Sequence, residues 1–162
     1  MVSNYLKLIK KDKYQVFIFT CPANIPFNFV IHTWIVCNKK GKLTRYEVRH
    51  AKNKKNTVLH LNLFPIFKGI EVFLISNKWY WKGRLLGKIE GDLAKDIIAF
   101  VKKSETDYPY LDKHVLLGPN CNTYVQWILD SFPNLKIKLP WNAIGKNYIK
   151  NKKKELNYLS FN

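Results

Sequence analysis

Cys121 is the residue whose position in the sequence points most directly to chemistry. Residues 118–123 read Gly-Pro-Asn-Cys-Asn-Thr, and an apolar pattern of helical period follows over residues 124–132. We therefore expect a helix to begin at residues 120–122. The unpaired N–H groups and the dipole of a helix N-terminus favour a thiolate and lower the pKa of a thiol there. Cys121 is thus a candidate nucleophile, and the alternative is an ordinary buried cysteine on a packing face.

A thiol nucleophile needs a base, and His32 is the strongest candidate among the four histidines. It lies in the middle of the most apolar strand pattern, residues 27–38, where an imidazole needs a polar partner. The alternative is a core histidine with its hydrogen bonds satisfied. His60 and His114 have no comparable context, and we expect surface or capping positions for both.

His50 is the candidate for the group that orients the His32 ring. Residues 39–42 predict a hairpin turn, and a turn centred on Lys40 would place His32 opposite Val48. His50 would then share the face of His32, as the third member of a catalytic triad does. A register shift of one residue would bring Glu47 or Arg49 there instead. A solvent-facing histidine at the strand end is the other interpretation of His50.

The residues around the nucleophile have candidate roles in binding. Asn120 and Asn122 flank the thiol and are candidates for structuring the turn or the oxyanion site, and asparagine favours such turns for conformational reasons. The Cys121 backbone N–H is a further candidate donor to an oxyanion. Trp34 and Tyr46 are weaker candidates for a substrate groove, and core packing is the alternative, above all for Trp34.

The elements that would position these residues come in the order strands, then helices. Asp92 is expected to cap a helix that runs to about residue 103, before the Cys121 helix. This order predicts one α+β domain over residues 1–149, with a solvated basic tail at residues 150–162. Strands are predicted over residues 14–20, 27–38, 43–50, 57–63 and 70–76, and residues 78–84 as a strand or an aromatic loop.

Length and composition exclude several classes of protein. The chain has 162 residues, of which 47% are hydrophobic, so it is neither intrinsically disordered nor too short for a core. No apolar run is long enough to cross a membrane, and the first residues do not resemble a secretory signal. Three cysteines without zinc spacing predict a reducing compartment, no metal and no cofactor. We expect a cytoplasmic protein, unless it is exported without a cleaved signal.

The sequence resembles an uncharacterised bacterial family of unknown function over roughly residues 32–148. The resemblance is carried by His-Thr-Trp at residues 32–34, Thr-Arg-Tyr-Glu-Val at 44–48, Gly-Pro-Asn-Cys-Asn-Thr at 118–123 and Ala-Ile-Gly-Lys-Asn-Tyr at 143–148. In that family the position of Cys121 holds Ser or Cys.

More distantly, the sequence is similar to the circularly permuted papain-like superfamily, which includes NlpC-type peptidases and relatives of lecithin–retinol acyltransferase. This resemblance matches His32 to the strand histidine, His50 to the third position and Asn120-Cys121 to the nucleophile pair. It implies an antiparallel sheet with the cysteine helix packed on it. It also implies a cysteine hydrolase or acyltransferase that acts on a peptide, amide or acyl-ester substrate through a thioester.

The net charge of +17 supports a competing hypothesis, a basic domain that binds nucleic acid or an anionic surface. Residues 39–42, 52–55 and 150–154 supply basic loops, and Trp79-Tyr80-Trp81 could stack on bases. However, no recognised nucleic-acid motif is present. Residues 89–112 carry six acids against three lysines, so the rest of the chain carries +20, much of it in loops and the tail. An inactive member of the fold that serves as an interaction domain is a third alternative.

Overall fold

The computed structural model describes residues 3–74 and 77–160. Seven strands form a five-stranded antiparallel sheet of order β4-β3-β2-β1-β7 and a separate hairpin of β5 and β6. The predicted α+β class is confirmed. The strands are β1 (Tyr14–Pro22), β2 (Ile31–Lys39), β3 (Lys42–Val48), β4 (Leu59–Leu61), β5 (Lys68–Leu74), β6 (Asn77–Lys82) and β7 (Arg84–Glu90), and the helices are α1 (Ser3–Leu6), α2 (Asp92–Asp107), α3 (Cys121–Asp130) and α4 (Tyr148–Ser160).

A two-residue turn sets the register of the β2–β3 hairpin. Lys40 and Gly41 both have positive φ, 49° and 92°, as the tightest hairpin turns require. Lys39 therefore pairs with Lys42, and Ile35 with Tyr46. The register predicted from the sequence is wrong by one residue, because it assumed a turn centred on Lys40. The shift moves every side chain of β3 to the opposite face relative to β2.

The large sheet buries a different cluster on each face. Helices α2 and α3 pack on the face that carries Ile35 and Val48, where α3 lies against β2. On the other face, Phe19 stacks on Trp34 with ring centroids 5.4 Å apart, and Phe67 closes over them. The sheet is therefore buried on both sides, which explains why β1 and β2 read as nearly continuous apolar runs.

Other element boundaries also differ from the sequence prediction. The predicted strand at residues 27–38 begins only at Ile31, and β7 was not predicted. Gly91, with φ of 80°, caps α2 in place of Asp92, which lies in the first turn. Residues 150–160 of the predicted tail are helical as part of α4. The last two residues of the predicted strand 70–76, Ile75 and Ser76, lie outside the described residues.

Candidate active site

The first turn of α3 is capped by Asn120. Its side-chain oxygen accepts hydrogen bonds from the backbone N–H groups of Asn122 and Thr123, at 3.0 and 3.1 Å. The Thr123 hydroxyl in turn accepts from the Asn120 N–H, which completes a capping box. Gly145 packs directly against this side chain, and a Cβ there would overlap the Asn120 amide. The expected helix start at residues 120–122 is confirmed, and Cys121 is the first helical residue.

Hydrogen bonds join this helix start to the beginning of β2. The Asn122 amide donates to the carbonyl oxygens of Ile31 and Ile144, at 3.0 and 2.9 Å. The Thr33 hydroxyl lies 3.0 Å from the Asn122 side-chain oxygen and 3.2 Å from the Cys121 carbonyl oxygen. Residues almost ninety positions apart in the sequence are thereby held together, with Cys121 next to His32.

Glu47 holds the His32 ring. His32 Nε2 lies 3.0 Å from Glu47 Oε2, and both residues are buried. Arg45 faces the same carboxylate, with Nε 2.8 Å from Oε1 and Nη2 3.0 Å from Oε2. Since Glu47 engages Nε2, Nδ1 is the ring nitrogen available to the Cys121 thiol.

Arg45 is itself fully enclosed. Its guanidinium donates to the carbonyl oxygens of Pro65, at 2.8 Å, and Lys68, and it lies 4.3 Å from the centre of the Trp34 ring. The arginine charge is thus neutralised by Glu47, and Nη1 donates to backbone oxygens, whereas Nε faces Oε1 as an ion pair without hydrogen-bond geometry. A buried charge that is paired and hydrogen-bonded in this way can persist in the core.

The pKa values of the three groups shift toward their charged forms. Burial alone would raise the pKa of the Cys121 thiol, but the charge of His32, its hydrogen bond and one from the Thr33 backbone lower it below the ordinary 9.0. Burial alone would lower the pKa of His32, but Cys121 and Glu47 raise it above 6.5. Likewise His32 and Arg45 outweigh burial and lower the pKa of Glu47 below 4.5. These directions favour the ionised forms of the thiol, the imidazole and the carboxyl group.

The thiol pKa values of the other two cysteines shift in the opposite direction. Burial raises the pKa of Cys21 to about 12, and it also raises the pKa of Cys37 well above 9.0. All three cysteines are free, so the contrast comes from their surroundings. At Cys21 the charge of Arg45 is too weak to offset burial, whereas at Cys121 the charge and hydrogen bond of His32 outweigh it.

His32 and Cys121 line a common cavity of about 180 Å³. Asn120 and Asn122 line it as well, but their side-chain amides donate to backbone carbonyl oxygens of the surrounding turns. Among the described residues, the Cys121 N–H has no acceptor, so it is a donor available at the thiol.

The remaining residues singled out in the sequence lie in other surroundings. His50 lines the cavity, but its ring lies against His114, at 5.6 Å between centroids, while Glu47 holds His32. His114 is half-buried in the cavity wall instead of on the surface. Trp34 and Tyr46 are buried in the two cores, 0% and 7% exposed, and neither lines the cavity.

Glu47 was seen in the sequence only as the outcome of a register shift. The sequence feature that predicts its position is the Lys40-Gly41 pair. With a two-residue turn at these positions, each residue of β2 pairs with the residue of β3 for which the two numbers sum to 81. In that register Glu47 and Arg45 fall on the face of His32. The strand is buried on both faces. The Glu47 carboxylate and the Arg45 guanidinium therefore need each other, and the His32 imidazole, as partners.

Within the described ranges, no group of three or more His, Cys, Asp or Glu side chains could hold a metal ion. No helix there is long and apolar enough to cross a membrane.

The fold and the site together define an α+β protein with a cysteine, a histidine and a glutamate assembled at the start of a helix. The chain belongs to the family described as "Protein of unknown function (DUF3750)", whose profile matches residues 13–148. No curated protein and no solved structure matches the chain.

The buried Arg45–Glu47 pair yields a test of stability. Replacing Glu47→Leu leaves the Arg45 charge buried without its counterion, and we expect the free energy of unfolding to fall by about 3–5 kcal/mol. The double variant Arg45→Met/Glu47→Leu removes both charges and should recover a large part of this loss. Urea unfolding followed by circular dichroism measures both. A double variant no more stable than the single one would contradict this account. Glu155→Leu, which breaks the exposed pair with Lys152, is the control with little effect.

Proposed function

We propose that the protein is a cysteine hydrolase or acyltransferase of the permuted papain-like type, which acts on an amide or ester. The observation that carries this proposal is the Cys121 thiol at a helix N-terminus beside a His32 ring whose other nitrogen is held by Glu47. The thiol thus lies next to the imidazole, and the imidazole next to the carboxylate, which is the arrangement of nucleophile, base and orienting group that thiol catalysis requires.

In the proposed mechanism, the Cys121 thiolate attacks the carbonyl carbon of the substrate and a tetrahedral oxyanion forms. The Cys121 N–H is positioned to donate to that oxygen at the positive end of the α3 dipole. When the intermediate collapses, the C–N or C–O bond breaks and the His32 imidazolium protonates the leaving amine or alcohol. The product of this half-reaction is a thioester on Cys121 and a neutral His32.

The second half-reaction reverses the roles. Neutral His32 removes a proton from water or from an acceptor alcohol or amine, which then attacks the thioester carbonyl. The thiolate leaves, the acyl group departs with its new oxygen or nitrogen, and His32 is again the imidazolium. Water as acceptor gives hydrolysis, and another nucleophile gives acyl transfer.

Glu47 takes the orienting role that the sequence analysis assigned to His50. Its carboxylate accepts from Nε2–H, which directs Nδ1 toward the thiol and stabilises the imidazolium. The same carboxylate faces Arg45, and this second partner keeps it ionised and fixed in place. A carboxylate so constrained holds the ring through both half-reactions.

The proposal predicts an activated thiol. Alkylation of Cys121 by iodoacetamide, followed residue by residue by mass spectrometry, should rise with pH through an inflection below pH 9.0, because the pKa of the thiol is lowered. In His32→Ala the imidazolium is lost, burial dominates, and the inflection should move upward. At pH 7 we expect this variant to react at least about tenfold more slowly, one pKa unit being a factor of ten in thiolate.

Two controls belong to this experiment. Lys103→Ala, which truncates an exposed side chain of α2, should leave the Cys121 profile unchanged. Cys21 and Cys37 in the same sample should label slowly, because burial raises their pKa. Slow labelling of Cys121 that is independent of His32 would overturn the proposal and favour an inactive member of the fold.

A further inference from the structure

Arg49 is the cation of the site that no carboxylate neutralises. Among the described residues, Arg45 is paired with Glu47, whereas Arg49, four positions after Arg45, forms no ion pair. Arg49 is half-buried and lines the cavity that holds the thiol. Its guanidinium lies 5.3 Å from the centre of the Phe64 ring. A guanidinium remains charged at any physiological pH.

The charges around the cavity leave an excess of one positive charge. In the thiolate–imidazolium state Cys121 and His32 cancel, and so do Glu47 and Arg45. Arg49 is left over, and its charge lowers the pKa of both Cys121 and His32, so its field reaches the reacting atoms. None of the described residues that line the cavity is Asp or Glu.

His50 and His114 extend this wall with hydrogen-bonding side chains. Their rings meet edge to face at the cavity. Burial and the neighbouring positive charges of His50, His32 and Arg49 lower the pKa of His114 to about 4. At neutral pH His114 is therefore uncharged, so it can join in binding an anion without adding repulsion to the imidazolium.

We propose that Arg49, with His50 and His114 beside it, forms an anion subsite. The substrate then carries a carboxylate or a phosphate group next to the carbonyl that Cys121 attacks. A guanidinium pairs with either anion through two parallel hydrogen bonds. This inference rests on the proposed function in that Cys121 must be reactive, and it adds the charge of the substrate.

The test compares two alkylating agents of nearly equal size, anionic iodoacetate and neutral iodoacetamide. The iodoacetate-to-iodoacetamide rate ratio at Cys121 should exceed that of free cysteine by about tenfold, because the excess charge attracts the anion. Arg49→Gln should lower the ratio by about the same factor, Arg49→Lys should lower it less, and Lys95→Gln on the exposed face of α2 should leave it unchanged. A ratio equal to that of free cysteine, or insensitive to Arg49→Gln, would overturn the subsite.

Competition identifies the anion. At constant ionic strength, acetate or inorganic phosphate is added to the iodoacetate reaction. Protection by acetate assigns a carboxylate, protection by phosphate assigns a phosphate, and protection by neither contradicts the subsite. The iodoacetamide rate alone reports on the proposed function, so normal iodoacetamide reactivity without iodoacetate preference would refute only the inference drawn from Arg49.

A second and independent observation is a group of exposed apolar side chains around the cavity mouth. Phe29, Leu117 and Trp141 are 68%, 73% and 86% exposed, and with Phe27 and Leu116 they form what we term the apolar rim. Large exposed patches of this kind mark interaction surfaces.

Hydrogen bonds between loops hold the apolar rim in place. The Asn142 amide donates to the Phe29 carbonyl oxygen at 3.0 Å, and the Ile31 N–H donates to the Asn142 carbonyl oxygen. The Asn120 amide joins the Leu116 and Ile144 carbonyl oxygens. The rim is therefore preformed, which reduces the entropy lost when it meets a partner.

Positive charge lies directly beside the apolar rim. Leu117 and Trp141 border a depression that is also lined by Lys146, Lys152 and Glu155. The Lys146 ammonium donates to two backbone carbonyl oxygens, and Lys152 lies 3.9 Å from the Glu155 carboxylate. Helix α4 carries three further lysines, at positions 150, 153 and 154. Aromatic and leucine side chains flanked by lysines match the two layers of an anionic bilayer surface, acyl chains below charged headgroups.

We infer that the apolar rim docks on an anionic lipid bilayer, with the Cys121 cavity facing the membrane. Co-sedimentation with phosphatidylglycerol-containing vesicles should show binding, and pure phosphatidylcholine vesicles should bind at least about tenfold more weakly. Phe29→Ser/Leu117→Ser/Trp141→Ser should reduce binding by at least about tenfold, whereas Phe73→Ser, exposed on β5, should not.

Three results would overturn the docking proposal. Equal binding to both vesicle types would remove the role of charge. Binding that falls with salt but ignores the triple substitution would indicate a purely electrostatic surface, as for nucleic acid. Self-association in analytical ultracentrifugation that the triple variant abolishes would assign the apolar rim to a second copy of the chain.

Discussion

The buried chain of contacts from Arg45 through Glu47 to His32 is the interaction on which the rest of the structure depends. Three ionisable groups lie between two layers of apolar core, and each is stable there only because the next one pairs with it. Arg45 Nη1 donates to the Pro65 and Lys68 carbonyl oxygens and the guanidinium lies 4.3 Å from the centre of the Trp34 ring, so the network also fixes the segment that leads into β5. The same contacts that make the buried charges tolerable set the orientation of the imidazole.

The second half of the site comes from a distant part of the sequence. Asn120 caps α3, and Asn122 and Thr33 join the first turn of that helix to β2. Burial of an isolated thiol raises its pKa, as it does at Cys21 and Cys37. The opposite shift at Cys121 comes from the charge and hydrogen bond of His32, and the pKa of His32 is raised first by Cys121 and then by Glu47. In the proposed mechanism, the core network and the helix terminus together make the nucleophile.

The sequence predicted much of this arrangement because local signals dominate it. Asn120 before an apolar helical pattern located the start of α3, and strands preceding helices indicated the α+β class. The orienting group was missed because it depends on hairpin register, where one residue exchanges the two faces of β3. A role of Arg49 and His114 in an anion site could not be predicted from the sequence, because only the tertiary fold brings them to one cavity. Strand β7, half-exposed at the sheet edge and interrupted by Gly87 where Ile137 packs, lacked a clear alternating pattern.

The most direct measurement of the central claim is the protonation state of His32 itself. In protein labelled with ¹⁵N at histidine, the chemical shifts of Nδ1 and Nε2 distinguish imidazolium from either neutral tautomer. The account predicts that the pKa of His32 lies above 6.5 because of Cys121 and Glu47, and that Cys121→Ala lowers this pKa. A pKa of His32 at or below 6.5 in the wild type, unchanged in Cys121→Ala, would contradict the thiolate–imidazolium pair.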